Sequence, residues 1–297
     1  MTTYDVVVIG GGPAGLSGAV ALGRALRSVL VIDSGMPRNA PAAGIHNYLT
    51  RDGIAPAAFA SLGRSEVTRY GGEFRDGTVV SASPGTPFQL TLDDGATVAA
   101  RRLLVTTGLT DVLPEIAGLR ELWGSRVLHC PYCHGYEVRG EPIGIIATSP
   151  WAMHAALLWR QWTPDLTLFL NDAFTPDEHE AEQLAARGIT VIDGPVDAVN
   201  ASGVTLGGGR RVPRDYLVVQ TRLEARAGFL APLGLKAAEH PMGIGTYVPA
   251  EDPTGRTSVP GVWVAGNVTD PMGQVITSAG AGLTAGAAIN MDLIAGD

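Results

Sequence analysis

The sequence predicts an α/β fold built from two Rossmann-like three-layer domains, the second inserted into the first. Three observations predict it. The stretch Tyr4 to Ile9 is apolar throughout Val6-Val7-Val8-Ile9. A glycine cluster follows, then an apolar, Ala-rich stretch from Leu16 to Leu26, then a second apolar run at Val29 to Ile32 closing on Asp33. That order reads as strand, helix and parallel strand, which requires a crossover and a sheet covered on both faces. The same order recurs from Ile143, and a late apolar run, Val262-Trp263-Val264, meets another glycine turn.

The bulk properties fit this class. With 297 residues and 45% hydrophobic composition, the chain can fill two cores. A net charge of −8 argues against nucleic acid or an anionic membrane as main partner, since both select basic patches. The apolar run at 5–10 is too short for a signal segment, and no run approaches the roughly 20 residues that span a bilayer, so a cytoplasmic location is expected.

The remaining elements follow in order. Residues 34–60 are rich in Pro, Gly, Asn and Ala, and an ordered loop over a ligand is expected there. Phe88 to Leu92 alternates as an antiparallel strand does, Asp93-Asp94-Gly95 is a turn, and Leu103-Leu104-Val105 is a buried strand ending at Thr106-Thr107-Gly108. The second unit reads as a strand at 143–147, a helix over 151–162, a strand from Leu166 to Leu170, a helix over 177–187, and strands at Val191-Ile192 and Leu217-Val218-Val219. Val275 to Ile294 is a small-residue helix. A crossing near 113 and a return near 238 are expected.

Two motifs carry chemistry. Gly10-Gly11-Gly12-Pro13-Ala14-Gly15 is G-x-G-x-x-G between strand and helix. Its first glycine permits the tight turn, its second lets a pyrophosphate approach the backbone, and its third lets helix pack on strand. The helix N-terminus offers amide donors to phosphate, and Asp33 stands where a carboxylate accepts from ribose hydroxyls.

The other motif is Leu128-His129-Cys130-Pro131-Tyr132-Cys133-His134-Gly135, which holds both cysteines of the chain. Pro131 suits the first helical position, so Cys130 is expected at the N-cap, where nearby amides favour a thiolate. His129 and His134 are either proton carriers or packing residues. The hexad favours a redox dithiol. It also matches a glutaredoxin-type Cys-Pro-Tyr-Cys, which belongs early in a smaller fold; a c-type haem attachment, which needs export; and half of a zinc site, which lacks a second pair.

With Thr257 to Asn267 added, these residues resemble the low-molecular-weight thioredoxin-reductase-like flavoproteins over nearly the whole chain. The stretches Asp33-Ser34-Gly35, Pro37-Arg38-Asn39, His46-Asn47, His129 to Glu137 and Leu157 to Trp162 are similar to the dithiol oxidase branch of gliotoxin and holomycin biosynthesis. The resemblance implies FAD as cofactor. It places at that cofactor Gly10, Gly12, Pro13, Ala14, Gly15, Asp33, Arg38, Asn39, His46, Asn47, Val79, Thr107, Gly108, Gly266, Asn267, Gln274, Val275 and Ile276. It implies an FAD-binding domain of 1–113 with 238–297, and an inserted NAD(P)H-binding-like domain of 114–237 carrying the cysteines. Cys133 is then the sulfur nearest flavin and Cys130 the one that meets substrate. It further implies a homodimer that closes a disulfide in a small-molecule dithiol, with molecular oxygen as acceptor. The alternatives are a reductase of a thioredoxin-like protein fed by an unconventional donor, and a flavin-binding redox sensor.

The sequence departs from that pattern in four places. His134 stands where an Asp usually follows the second Cys, and Asn267 where the flavin motif usually has Asp. The second nucleotide turn reads Ile146-Ala147-Thr148-Ser149-Pro150-Trp151-Ala152, without its glycines, and Asn171-Asp172-Ala173 stands where a basic cluster would hold a 2′-phosphate.

Overall fold

A computed structural model describes residues 3–296. Its α-helices are α1 (Pro13–Arg24), α2 (Pro56–Arg69), α3 (Leu119–Leu122), α4 (Pro131–His134), α5 (Ala152–Trp159), α6 (Glu178–Ala186) and α7 (Val275–Gly296). The chain forms two compact units. One comprises residues up to 40, 54–111 and from 223 onward; the other comprises 41–53 and 112–222. The second therefore interrupts the first.

The first unit is organised by a seven-stranded sheet. Its strands run in the order Glu73–Asp76, Val29–Asp33, Thr3–Ile9, Thr97–Val105, Phe88–Leu92 and Val79–Ser83, with Val262–Val264 also pairing the 97–105 strand. The strands at 3–9, 29–33, 97–105 and 262–264 are parallel. Alternation explains why the apolar runs are unbroken: Val6 and Val8 pack toward Leu16, Leu22 and Ile289 of α1 and α7, while Val7 and Ile9 pack toward Leu90, Val105 and Leu230. Both faces of the 3–9 and 29–33 strands are thus buried, as a covered parallel sheet requires. Val79 lies in the second of these clusters, 5% exposed.

The second unit has a five-stranded parallel sheet ordered Thr190–Ile192, Leu166–Phe169, Ile143–Ile146, Tyr216–Val219 and Val127–Leu128. An antiparallel ribbon of Val196–Asn200, Gly203–Leu206 and Arg211–Pro213 follows α6 and its strand. Ile143 and Ile145 face the α5 side with Met153 and Trp159, and Ile146 and Phe169 the opposite side. Helix α6 begins with a capping box, in which Asp177 accepts from the Glu180 N–H and Glu180 from the Asp177 N–H.

The structure differs from the sequence expectation in several respects, and residues 41–53, expected in the first unit, belong to the second. The loop expected over 34–60 ends at Ala55, where Pro56 takes the first turn of α2. Helix α5 stops at Trp159, not 162. The second crossing falls between Arg222 and Leu223 and not near 238, because Ala227, Leu230, Leu233 and Leu235 pack into the core of the first unit. No helix among the described residues is long and apolar enough to cross a membrane.

Candidate active site

In the first unit the parallel strands all end on one edge, where Gly10 to Gly15, Asp33, Thr107, Gly108 and Gly266 stand, whereas His46 and Asn47, also expected at a cofactor, lie in the second unit. Gly10 has φ +108, a region open to glycine, and its N–H donates to the Ile32 carbonyl at 2.8 Å. Thr106 Oγ1 donates to the Gly10 carbonyl at 2.8 Å, tying the end of the third parallel strand to the turn. A Cβ on Gly15 would collide with the Gly10 carbonyl, so the close approach of helix to turn requires glycine there. A Cβ on Gly12, by contrast, would meet nothing within 4 Å. Gly12 caps α1 with no side-chain hydrogen bond, and Pro13 follows. The Asp33 carboxylate accepts from the Gly11 N–H at 3.1 Å, with Arg64 3.7 Å from its other oxygen. An open amide-lined turn beside a half-buried carboxylate fits a dinucleotide.

The second contribution to this edge comes from the C-terminal motif. Gly266 has φ +74, and a Cβ there would press on Ala14. Asn267 Nδ2 donates to the carbonyls of Asp270 at 2.9 Å and Gly273 at 2.8 Å, which shapes the loop leading to Gln274, Val275 and Ile276. Thr107 Oγ1 donates to the Arg226 carbonyl at 2.7 Å, and Gly108 has φ +66. Arg38 makes a two-point ion pair with Asp111 at 2.6 and 2.8 Å, and Asn39 sits half-buried in the turn beside it. Asp111 and Arg64 are contacts that no motif signalled.

In the second unit, the edge strand Val127–Leu128 leads straight into His129 and Cys130. Cys130 is the N-cap of α4 and Pro131 its first residue, as the sequence predicts. The helix is one turn long, so the local N–H groups, not a macrodipole, are what a thiolate would meet. Both cysteines are half-buried. Gly135 is buried, and a Cβ there would fall 2.6 Å from the Pro131 carbonyl and 2.9 Å from the Trp162 ring. Tyr132 meets Trp162 edge-on at 5.9 Å, and the His129 ring lies 5.9 Å from Trp123. Burial pushes the His134 imidazole below its ordinary value, while the Glu137 carboxylate pulls it up and the His46 charge pushes it down again. The net direction leaves His134 neutral at pH 7, in the form that accepts a proton.

His46 and Asn47, expected at the cofactor, lie in this same unit against the dithiol turn. Asn47 Nδ2 donates to the Tyr132 carbonyl at 2.7 Å, and His46 Nε2 lies 3.5 Å from Glu137 Oε1. Among the described residues no three His, Cys, Asp or Glu side chains are grouped as a metal site.

The second Rossmann turn is closed by its own side chains. Ser149 Oγ accepts from the Trp151 N–H at 3.3 Å and lies 3.3 Å from Gln220 Oε1, and Thr148 Oγ1 donates to the Gln220 carbonyl at 3.1 Å. The N–H groups of Ala152 and Met153 donate to the Ser149 and Pro150 carbonyls. Asn171, with φ +51, donates to the Ala147 carbonyl at 3.0 Å and accepts from the Val196 N–H at 2.8 Å. The N–H groups of Trp151, Ala152 and Met153, at the start of α5, are thus already bonded within the turn.

The family model described as pyridine nucleotide-disulphide oxidoreductase matches residues 4–283. The chain belongs to this family. Thioredoxin reductase sirT of Leptosphaeria maculans is 31% identical, with 99% of this chain and 95% of that protein covered. Thioredoxin reductase tcpT of Claviceps purpurea is 33% identical, with 98% and 94% covered. Among solved structures, an oxidoreductase from Agrobacterium tumefaciens has a TM-score of 0.95 at 37% identity, covering 100% of both chains. HlmI has a TM-score of 0.90 at 43% identity, covering 98% of this chain and 93% of its own. As a member of the pyridine nucleotide-disulphide oxidoreductase family, the chain is a thioredoxin-reductase-like flavoprotein and a thiol/disulfide oxidoreductase.

Proposed function

We propose that this enzyme oxidises a small-molecule dithiol to its disulfide, with FAD as cofactor and molecular oxygen as terminal acceptor. The observation that carries the proposal is the contrast between the two Rossmann turns. The turn at Gly10–Gly15 gives α1 no side-chain cap, whereas at the start of α5 the Trp151, Ala152 and Met153 N–H groups are already bonded to Ser149 Oγ and to the Ser149 and Pro150 carbonyls. Electrons then enter from thiols, since the usual nicotinamide cradle is missing.

FAD would be held by Gly10, Gly12, Pro13, Ala14, Gly15 and Asp33 at its phosphates and ribose, and by Thr107, Gly108, Gly266, Asn267 and the start of α7 toward the flavin. When bound it supplies a two-electron acceptor that returns the enzyme dithiol to the disulfide, and oxygen takes the pair as peroxide. The net reaction, dithiol plus oxygen giving disulfide plus hydrogen peroxide, balances without a further reductant. The chain's own residues perform the thiol half. A substrate thiolate attacks Cys130 of the enzyme disulfide, and Cys133 leaves as thiolate. The second substrate thiol attacks the sulfur of the first, releasing Cys130 and closing the substrate disulfide. His134, neutral at pH 7, accepts a thiol proton, and His129 serves as its partner across the pair. A homodimer is proposed on the family resemblance, with exposed Leu283, Met291 and Ile294 of α7 as apolar surface to cover.

The test supplies dithiothreitol and air to the holoenzyme without nicotinamide. Oxygen uptake above that of free FAD is expected, and Cys130→Ser or Cys133→Ser should abolish it. No uptake over free FAD counts against the reading. The name thioredoxin reductase on the relatives favours a second reading, reduction of a thioredoxin-like disulfide. Anaerobic bleaching of the flavin by NADPH or NADH would select it.

A further inference from the structure

The chain beyond the dithiol turn carries a cation that the thiol exchange just described does not use. The N–H groups of Gly135 and Val138 donate to the carbonyls of Pro131 and His134, four residues back, so the backbone keeps a helical path from Pro131 to Val138. Trp162 holds this stretch in three places. Its ring meets the Tyr132 ring edge-on at 5.9 Å, it leaves no room for a Cβ on Gly135, and its carbonyl accepts the Gly140 N–H at 2.9 Å. Val138 is buried in the core of the unit, while Tyr136 is 66% exposed and Arg139 is exposed beside it. The Arg139 guanidinium lies 4.0 Å over the Tyr136 ring, and its Nη1 donates to the Tyr136 carbonyl at 2.6 Å. A stacked ring and a hydrogen bond together hold the charge in one place. Arg139 makes no ion pair among the described residues, and neighbouring Glu137 faces His46 instead.

We propose that Arg139, stacked on Tyr136, is an anion subsite of the dithiol centre, and that it selects a dithiol carrying a carboxylate. The inference rests on the dithiol oxidase reading for the nature of the arriving thiol. Tyr136 stands one helical turn beyond Cys133, where side chains three apart are neighbours, and about 9 Å along the axis from Cys130 at about 1.5 Å per residue. A carboxylate set off from its thiols by a short aliphatic arm spans that length. The Nη1 bond to the Tyr136 carbonyl leaves Nε and Nη2 as the planar fork that matches the two oxygens of a carboxylate. The rest of the protein works the other way: a chain of net charge −8 repels anions, so a fixed, unpaired guanidinium beside the sulfurs gives such a substrate a local reason to stay. No bond is made or broken at Arg139. It orients the far end of the substrate while the thiol at the near end reaches Cys130.

The test compares charged and neutral reagents of like shape on the same protein. Holoenzyme, reduced and kept anaerobic, is mixed with 5,5′-dithiobis(2-nitrobenzoate), which carries two carboxylates, and separately with neutral 4,4′-dithiodipyridine. In Arg139→Gln the ratio of the anionic to the neutral exchange rate should fall by about threefold to fivefold, the worth of one exposed ion pair, with the neutral rate held. Tyr136→Leu, which keeps the charge but removes the ring beneath it, should lower the ratio by less. Added salt should lower the wild-type ratio and leave that of Arg139→Gln nearly flat. Oxygen uptake should follow the same order, with dihydrolipoate losing kcat/KM against dihydrolipoamide in Arg139→Gln. An unchanged ratio in Arg139→Gln overturns the proposal, as does an equal fall in both exchange rates, which marks a structural role. If wild-type enzyme takes up no oxygen with either dithiol, the oxidase reading fails, while the exchange ratio still decides whether Arg139 receives the carboxylate.

Discussion

Replacing Asn267 by Asp, the residue more usual at this place in the flavin motif, should weaken the protein. The amide Nδ2 donates to two carbonyls at 2.9 and 2.8 Å, Asp270 and Gly273, with Pro271 at a marginal 3.5 Å. A carboxylate has no donor to offer either. Each lost bond costs about 0.5–1.5 kcal/mol net, so removing both costs about 2 kcal/mol for Asn267→Ala. Asn267→Asp adds repulsion between carboxylate and carbonyl oxygens, for about 3 kcal/mol in all in this half-buried loop. At about 2–4 °C per kcal/mol, the midpoint should fall by roughly 4–8 °C for Ala and further for Asp. Circular dichroism melts of flavin-free protein measure this without interference from cofactor affinity. A melt for Asn267→Asp that matches wild type, or lies above Asn267→Ala, would refute the clamp.

Two further outcomes are expected. Gly135→Ala places a methyl 2.6 Å from the Pro131 carbonyl and 2.9 Å from the Trp162 ring, an overpacking worth about 1–3 kcal/mol, readable as a lower calorimetric midpoint together with slower thiol exchange. Because burial depresses His134, the unfolded chain binds more protons than the folded one between the folded value and the ordinary value near 6.5. The His134 contribution is therefore fully present above about pH 6.5 and is lost as pH falls through the folded value. In His134→Gln a urea-melt series should show a shallower loss of stability on acidification; an identical slope would count against a buried neutral imidazole.

The elements legible in the sequence were those that bury both faces or one full stripe. Val6 to Ile9, Val29 to Ile32 and Ile143 to Ile146 are continuous apolar runs because each strand feeds two cores. Helix α2 left no such trace: only Pro56 and Val67 in it are buried, so its apolar spacing carries no stripe to read. The strand Glu73–Asp76 is half exposed and carries no apolar run for the same reason. At the site, the glycine turn, the N-cap cysteine and the proline after it were legible because each is dictated by local backbone geometry. The packing of 41–53 against the dithiol was not, since it depends on Asn47 reaching the Tyr132 carbonyl 85 residues away. Arg64 beside Asp33 and Asp111 beside Arg38 were hidden likewise, as each joins segments far apart in the chain.

The two Rossmann turns show how one backbone plan can hold different chemistry. Both place a helix N-terminus at the end of a parallel strand, so both begin with amides that need acceptors. At α1 the chain supplies glycines and, beyond Asp33 on the Gly11 N–H, no side-chain acceptor. At α5 it supplies Ser149, with Gln220 behind it, and carbonyls at Ser149 and Pro150, which meet the need from within. A phosphate arriving there would have to displace bonds already formed and would find Asp172 nearby in place of a cation. Restoring glycine at 147 and 149 alone would open space without supplying charge. Satisfied donors and the sign of charge both weigh against a phosphate at this turn, which is the asymmetry on which the proposed thiol-to-flavin direction rests.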